Sequence, residues 1–233
     1  MNTYVCSDLH GNYEVWRQIK EFLQPEDRLF MLGDCIDRGE DGWKILKEVL
    51  TDYRVEYILG NHDVMLLERD RKPYNYETAN LHNYNGGWST WEMASNDPDK
   101  HYYMGRLKDC PYTVWYKNKE DKYIYMSHSG YEGDDKYELV WNRTEFYNGY
   151  HPDRANYIIH GHTPNLHIED ELKRVNMLVP KDKRLAVPAY TGGAYWYNEY
   201  RCGLDCWTAG TGTAVLLDLN TFEEHIFSDG VDR

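Results

Sequence analysis

A chain of 233 residues with 26 Lys plus Arg against 39 Asp plus Glu carries a formal charge of −13. That length suits one domain with a sizeable core, and the acidic balance excludes a global field that would gather nucleic acid. The opening Met1-Asn2-Thr3 leads into a short apolar run without the character of a signal peptide or a membrane span, so a cytoplasmic location is the expectation.

The first sixty residues repeat one rhythm of apolar run, polar turn with Gly and Asp, then helical pattern, which predicts an α/β layer fold. A strand over 3–6 runs into Ser7-Asp8-Leu9-His10-Gly11-Asn12, followed by a helix over 13–23 that buries Val15, Ile19 and Leu23. A second strand, 28–32, runs into Gly33-Asp34-Cys35-Ile36-Asp37-Arg38-Gly39 and a helix over 43–50. A third, 55–59, runs into Gly60-Asn61-His62-Asp63 with a helix over 64–69. Residues 70–109 turn polar and rich in Tyr, Trp, Asn and Gly, and read as a cap. Runs over 112–116 and 123–126 predict a hairpin around Asn118-Lys119-Glu120-Asp121, whose second strand delivers Ser127-His128-Ser129-Gly130. A strand over 157–159 delivers His160-Gly161-His162-Thr163-Pro164, and 213–217 and 223–227 read as closing strands. Residues 189–210, with several aromatics and two cysteines, read as an insert, and the whole of 1–233 as a single domain. The five cysteines form no C-x-x-C pair, which suits reduced thiols.

Each strand thus ends in a loop carrying Asp, His or Asn, and in open α/β sheets the crevice beyond the strand C-termini is where ligands bind. The residues collected there are Asp8, His10, Asp34, Asn61, His128 and His162, a donor set for two divalent cations. Asp8 and His10 lie two apart, so extended backbone would point both side chains one way. Asp34 has two oxygens with which to bridge the ions. Imidazole and carboxylate donors suit manganese, iron or zinc better than calcium, and manganese is the expected metal. Two such cations outweigh the two carboxylates and leave the pocket cationic, with Arg38 and Arg143 adding forked donors for phosphate. They also lower the pKa of bound water toward about 7, which supplies a nucleophile. His62 follows Asn61 without being needed as a ligand and is expected to protonate the leaving group. Asp37 is expected to orient His62.

Taken singly, an Asp-x-His or an Asn-His-Asp is more often surface or turn than catalysis; in this order, each behind an apolar run, they point to one site. The remaining histidines, His82, His101, His151, His160, His167 and His225, are expected at the surface or in packing, with His160 closest to the pattern. Cys35 reads as a small buried thiol.

Asp8-Leu9-His10-Gly11, the stretch from Gly33 to Gly39, Gly60-Asn61-His62-Asp63, His128, Trp141-Asn142-Arg143 and Gly161-His162-Thr163-Pro164 together resemble the calcineurin-like metallophosphoesterases. Within that family they resemble the phosphoprotein phosphatase branch with its lambda-type bacteriophage members. The resemblance implies two packed mixed β-sheets flanked by helices, the six ligands named above, and Arg38 and Arg143 on the phosphate. Two departures stand out. The branch usually has Glu at the position of Asp63, whereas relatives that cleave diadenosine tetraphosphate symmetrically often have Asp there, as this chain does; those relatives, however, tend to lack an Asp at the position of Asp37 and the Thr-Pro after His162. A family Asp-Thr-Gly strand end matches either Leu204-Asp205-Cys206-Trp207-Thr208 or Tyr190-Thr191-Gly192. The expected function is therefore a binuclear-metal serine/threonine, or tyrosine, protein phosphatase acting on a phosphorylated protein or small phosphoester, with a nucleotide phosphohydrolase as the alternative. Neither nucleic acid nor membrane is an expected partner.

Overall fold

The computed structural model describes residues 1–143, 154–184 and 186–231. Its strands form two five-stranded sheets. The first sheet has the order β10-β9-β1-β2-β3, with β1 Thr3–Cys6, β2 Arg28–Met31, β3 Val55–Tyr57, β9 Thr213–Asp218 and β10 Glu224–Ser228. The second has the order β4-β5-β6-β8-β7, with β4 Thr113–Lys117, β5 Tyr123–Ser127, β6 Tyr157–His160, β7 Tyr195–Trp196 and β8 Arg201–Gly203. Strands β1, β2 and β3 run parallel, as do β5, β6 and β8, while β9, β10, β4 and β7 pair antiparallel, so both sheets are mixed.

Alternation along each strand sorts its side chains into two cores. Val5, Phe30, Leu32, Val215 and Leu217 face the other sheet, where they meet Ile124, Met126, Ile159 and Cys202. Tyr4, Cys6, Leu29, Met31, Ala214 and Leu216 face the helices instead. There they meet helix α1 (Tyr13–Phe22) through Val15, Trp16 and Ile19, and α2 (Gly42–Thr51) through Ile45, Leu46 and Val49. Each such fully buried aliphatic or aromatic side chain contributes about 1.5–3 kcal/mol. Helix α1 starts where the Asn12 side chain accepts from Val15 N, with Glu14 in the first turn and Lys20 in the last, matching the helix dipole.

Two expectations change, at the third strand and at residues 189–210, and the structure of a third segment is filled in. Strand β3 stops at Tyr57, and helix α3 (Asn61–Asp70) begins at Asn61, which places Asn61 and His62 on a first helical turn. The 70–109 segment is helical, comprising α4 (Tyr76–Tyr84), α5 (Trp88–Ser95) and α6 (Lys100–Lys108). Residues 189–210 are not set apart from the sheet: they supply β7 and β8, and β8 pairs with β6 inside it. All five cysteines are free thiols. No helix among the described residues is long and apolar enough to cross a membrane.

Candidate metal centre

The loops after β1, β2, β5 and β6 and the start of α3 meet beyond the same ends of the two sheets. Backbone bonds lace them together: Asp8 N donates to Gly33 O at 3.2 Å, His10 N to Asp34 O at 3.0 Å, and Gly161 N to His128 O at 2.9 Å. Asp8, His10, Asp34, Asn61, His128 and His162 are all buried there. Their donor atoms converge. His128 Nε2 lies 3.2 Å from Asp34 Oδ2 and 3.0 Å from Asn61 Oδ1, and His162 Nδ1 lies 3.0 Å from the same Asn61 oxygen. His10 Nε2 lies 3.8 Å from Asp8 Oδ1.

Two groups of side chains have donor atoms within 4.8 Å of one another, His10, Asp34 and His62 in one and Asp34, His128 and His162 in the other. Asp34 belongs to both, as a bridging carboxylate should. His62 sits in the first group by proximity, but its Nδ1 is 2.7 Å from Asp37 Oδ2 and its Nε2 is 3.3 Å from Arg38 NH2. A guanidinium only donates. The ring nitrogen it faces is therefore turned toward a cation donor, and Asp8 is the better candidate to complete the first ion's shell.

The chemistry of this donor set fits metal. Burial, followed by the neighbouring Asp34, raises the Asp8 carboxyl above its usual range despite His128. Burial alone would raise Asp34 too, but His128 and His62 beside it hold it well below. Burial, reinforced by His62 and Arg38, pushes His10 down to about 3; burial with His128 and Arg143 lowers His162. Both are thus neutral imidazoles, ready to ligate. Burial opposes charge on His128 as well, yet Asp34 and Asp8 lift it to about 9, so a cation held here would have to displace a proton.

The backbone is as unusual as the side chains. Asp8, His10, Asp34, Asp37, Arg38 and His162 all have φ between 44° and 67°, in the left-handed region that non-glycine residues seldom occupy. Asp8 and His10 converge through this tight turn and not through extended alternation. His160, the remaining histidine closest to the pattern, is buried and binds Tyr197 OH through Nε2 at 2.8 Å. Close approach also depends on Gly161, where a Cβ would lie 2.0 Å from Ser7 Oγ and 2.1 Å from Asp8 Oδ2. Ser7 Oγ donates to that Asp8 oxygen, and His162 N donates to it at 3.0 Å. Gly161→Ala is accordingly expected to displace the Asp8 carboxylate and weaken manganese binding about 10-fold to 100-fold with unchanged circular dichroism. Calorimetric titration returning wild-type affinity would show that the Asp8 position is not limiting.

Other side chains enter that the sequence left out. His82, expected at the surface or in packing, is fully buried and places Nε2 2.8 Å from Asp37 Oδ2. Thr90 Oγ1 accepts from Asp37 N at 2.9 Å. Burial alone would raise Asp37, but the bonds from His62 and His82 hold it down at about 2. For His62, burial is outweighed by Asp34 and Asp37, and its pKa is raised. Asp63 turns inward: its Oδ2 accepts from Gly60 N at 2.8 Å and Asp34 N at 3.2 Å, and Tyr57 OH donates to its Oδ1 at 2.9 Å. Of the two strand ends left open by the sequence, Asp205 follows β8 and is buried, raised by burial and by Asp8, while Thr191 and Gly192 are exposed. Arg38 and Arg143 are exposed, Arg143 NH1 reaching Thr163 Oγ1 at 3.5 Å. Cys35 is buried, with Tyr57 OH 3.2 Å from its sulfur.

The family model for calcineurin-like phosphoesterases matches residues 1–166. A symmetrical bis(5'-nucleosyl)-tetraphosphatase from Buchnera aphidicola is 41% identical over 86 residues, which cover 33% of this chain and only 31% of that protein. Among the solved structures that share the fold are a putative diadenosine tetraphosphatase (TM-score 0.58 at 16% identity, covering 97% of this chain and 93% of its own), a serine/threonine phosphatase from Saccharomyces cerevisiae and a cold-active protein-tyrosine phosphatase from a Shewanella species. The yeast protein has a TM-score of 0.55 at 15% identity, covering 100% of this chain and 81% of its own. The Shewanella protein has a TM-score of 0.56 at 15% identity, covering 99% and 78%.

Proposed function

The chain belongs to the calcineurin-like phosphoesterases, and from that premise we propose that it is a binuclear-metal phosphomonoesterase acting on phosphorylated serine, threonine or tyrosine side chains of proteins. Asp8, His10, Asp34, Asn61, His128 and His162 would hold two divalent cations, manganese first and iron or zinc as alternatives. When bound, the ions neutralise phosphoryl charge and activate water for attack. Arg38 and Arg143 would bind phosphoryl oxygens through forked donors.

The observation that carries this reading is the His62–Asp37 pair, with Nδ1 and Oδ2 2.7 Å apart. A serine or threonine alkoxide is a poor leaving group and needs a proton as it departs; a nucleoside diphosphate leaves as a stable anion and does not. An imidazole held by a buried carboxylate, whose Nε2 can take up a proton and turn it to the leaving oxygen once Arg38 moves onto phosphate, fits the first demand. Asp63, the residue shared with the tetraphosphatases, is buried and committed to Gly60, Asp34 and Tyr57. Its identity therefore says little about what is cleaved.

Symmetrical diadenosine tetraphosphate hydrolysis is the second reading, favoured by the local match to the Buchnera aphidicola protein. A turnover panel with manganese decides between them. Higher kcat/KM on phosphopeptides than on diadenosine tetraphosphate is expected, and the reverse order would replace the first reading with the second.

A further inference from the structure

His82 on α4 is fully buried and contacts the catalytic turn without touching any of the six candidate ligands through a hydrogen bond. Its Nδ1 lies 3.2 Å from Arg69 NH1. Because a guanidinium can only donate, Nδ1 accepts, and the ring's proton sits on Nε2, aimed at Asp37 Oδ2 at 2.8 Å. That oxygen is the one His62 Nδ1 binds. Arg69 is itself fixed, donating to Asn83 Oδ1 at 2.6 Å with its guanidinium 4.5 Å from the Trp91 ring centroid. The same segment holds the turn at further points: Gly86 O accepts from Arg38 N at 3.0 Å, and Ser89 Oγ donates to Gly39 O at 2.8 Å.

We infer that His82 is a positioning residue for proton transfer, pinning Asp37 Oδ2 between two imidazoles so that His62 keeps Nδ1–H on Asp37 and holds Nε2, the nitrogen that carries the transferred proton in the imidazolium, aimed at the leaving group. A carboxylate held by His62 alone could rotate about its terminal bond and exchange oxygens, and the His62 ring would follow. With both imidazoles on one oxygen, that rotation breaks two bonds at once. The 70–109 segment then acts on the chemistry from behind the Asp37–Arg38 turn, through residues 82–90.

This inference rests on the reading of His62 as general acid, and the test separates the two. His82→Phe keeps a ring of similar size and removes the N–H. It is expected to lower kcat on a phosphoserine peptide about 10-fold to 100-fold, the usual cost of losing an outer orienting partner, with KM and manganese content unchanged. The loss on p-nitrophenyl phosphate should be less than about 3-fold, because p-nitrophenolate departs without a proton. His82→Gln, which retains an N–H donor, should recover most of the lost rate. In an Asp37→Asn background His82→Phe should cost nothing further, since both changes disable one unit.

Gly87→Ala gives a second route if His82→Phe does not fold. A Cβ at Gly87 would lie 2.2 Å from His82 Nε2 and push the ring without deleting it, so the same substrate-dependent loss is expected. Equal losses on both substrates, additive losses with Asp37→Asn, or no recovery in His82→Gln would reduce His82 to packing. If His62→Asn itself slows both substrates alike, the general-acid reading falls and takes this inference with it. A substrate-selective His62→Asn beside unselective His82 variants overturns the inference alone.

Discussion

Asp34→Asn is expected to bring turnover down by about 10³-fold or more and to leave fewer than two ions per chain. Asp34 is the one side chain common to both candidate groups of metal donors. Its Oδ1 accepts from His62 N at 3.0 Å while Oδ2 faces His128 Nε2 at 3.2 Å, so its two oxygens point into different parts of the centre. Asparagine keeps the shape, can still accept from His62 N, and tolerates the left-handed backbone at this position, where φ is 54°. What it removes is the charge that holds two cations close together. Two-metal activation is worth several kcal/mol of barrier, and at 1.36 kcal/mol per decade a loss of about 4 kcal/mol is roughly 10³-fold. Elemental analysis of the purified variant, set beside kcat, checks it. Two tightly held ions with normal turnover would mean that the bridge lies elsewhere.

His62→Asn should behave differently, leaving both ions in place and slowing substrates according to their leaving groups. General acid catalysis is worth about 10²-fold to 10⁴-fold, so kcat on phosphoserine peptides should fall by that factor and kcat on p-nitrophenyl phosphate far less. Asp37→Asn should give a weaker version of the same pattern, because it charges and orients the imidazole without carrying the proton. The Asp34 and His62 variants therefore fail in opposite ways, one in metal content and the other only in leaving-group dependence. A His62→Asn protein that had lost metal would make His62 a ligand, in line with its proximity to His10 and Asp34.

The candidate site was legible because each of its polar residues follows an apolar run, and alternation in those runs both builds the strands and sets the loops at one edge. Asp8, Asp34, His128 and His162 could be found for that reason, and Asn61 and His62 too, although they open a helix. The resemblance to a family then supplied the two-sheet arrangement, which periodicity alone does not specify. His82 could not be read this way. It lies 45 residues from Asp37 on a helix with little amphipathic contrast, and only the tertiary fold brings the two within 2.8 Å. Strand β8 was missed for another reason: Arg201-Cys202-Gly203 is too short for alternation to register, and its place in the sheet comes from pairing with β6. The side-chain direction of Asp8 and His10 was anticipated for a reason that does not hold, since the left-handed turn does what extended backbone was expected to do.

That left-handed backbone also decides how the centre can be taken apart. Each such non-glycine residue costs on the order of 1–3 kcal/mol in conformation, held in place by its surroundings. A replacement at Asp8, Asp34 or Asp37 must therefore satisfy two independent demands, the chemistry of the donor and the steric reach of its Cβ substituents. Asparagine and glycine accept these dihedrals; valine, isoleucine and threonine do not. An amide exchange at these positions thus interrogates charge by itself, whereas a branched or bulky exchange confounds lost chemistry with a refolded turn. The sequence space open to the centre is narrower than ligand chemistry alone would set: in a scan of all replacements at Asp34, turnover would be lost with the charge, while thermal stability would separate the variants along side-chain shape.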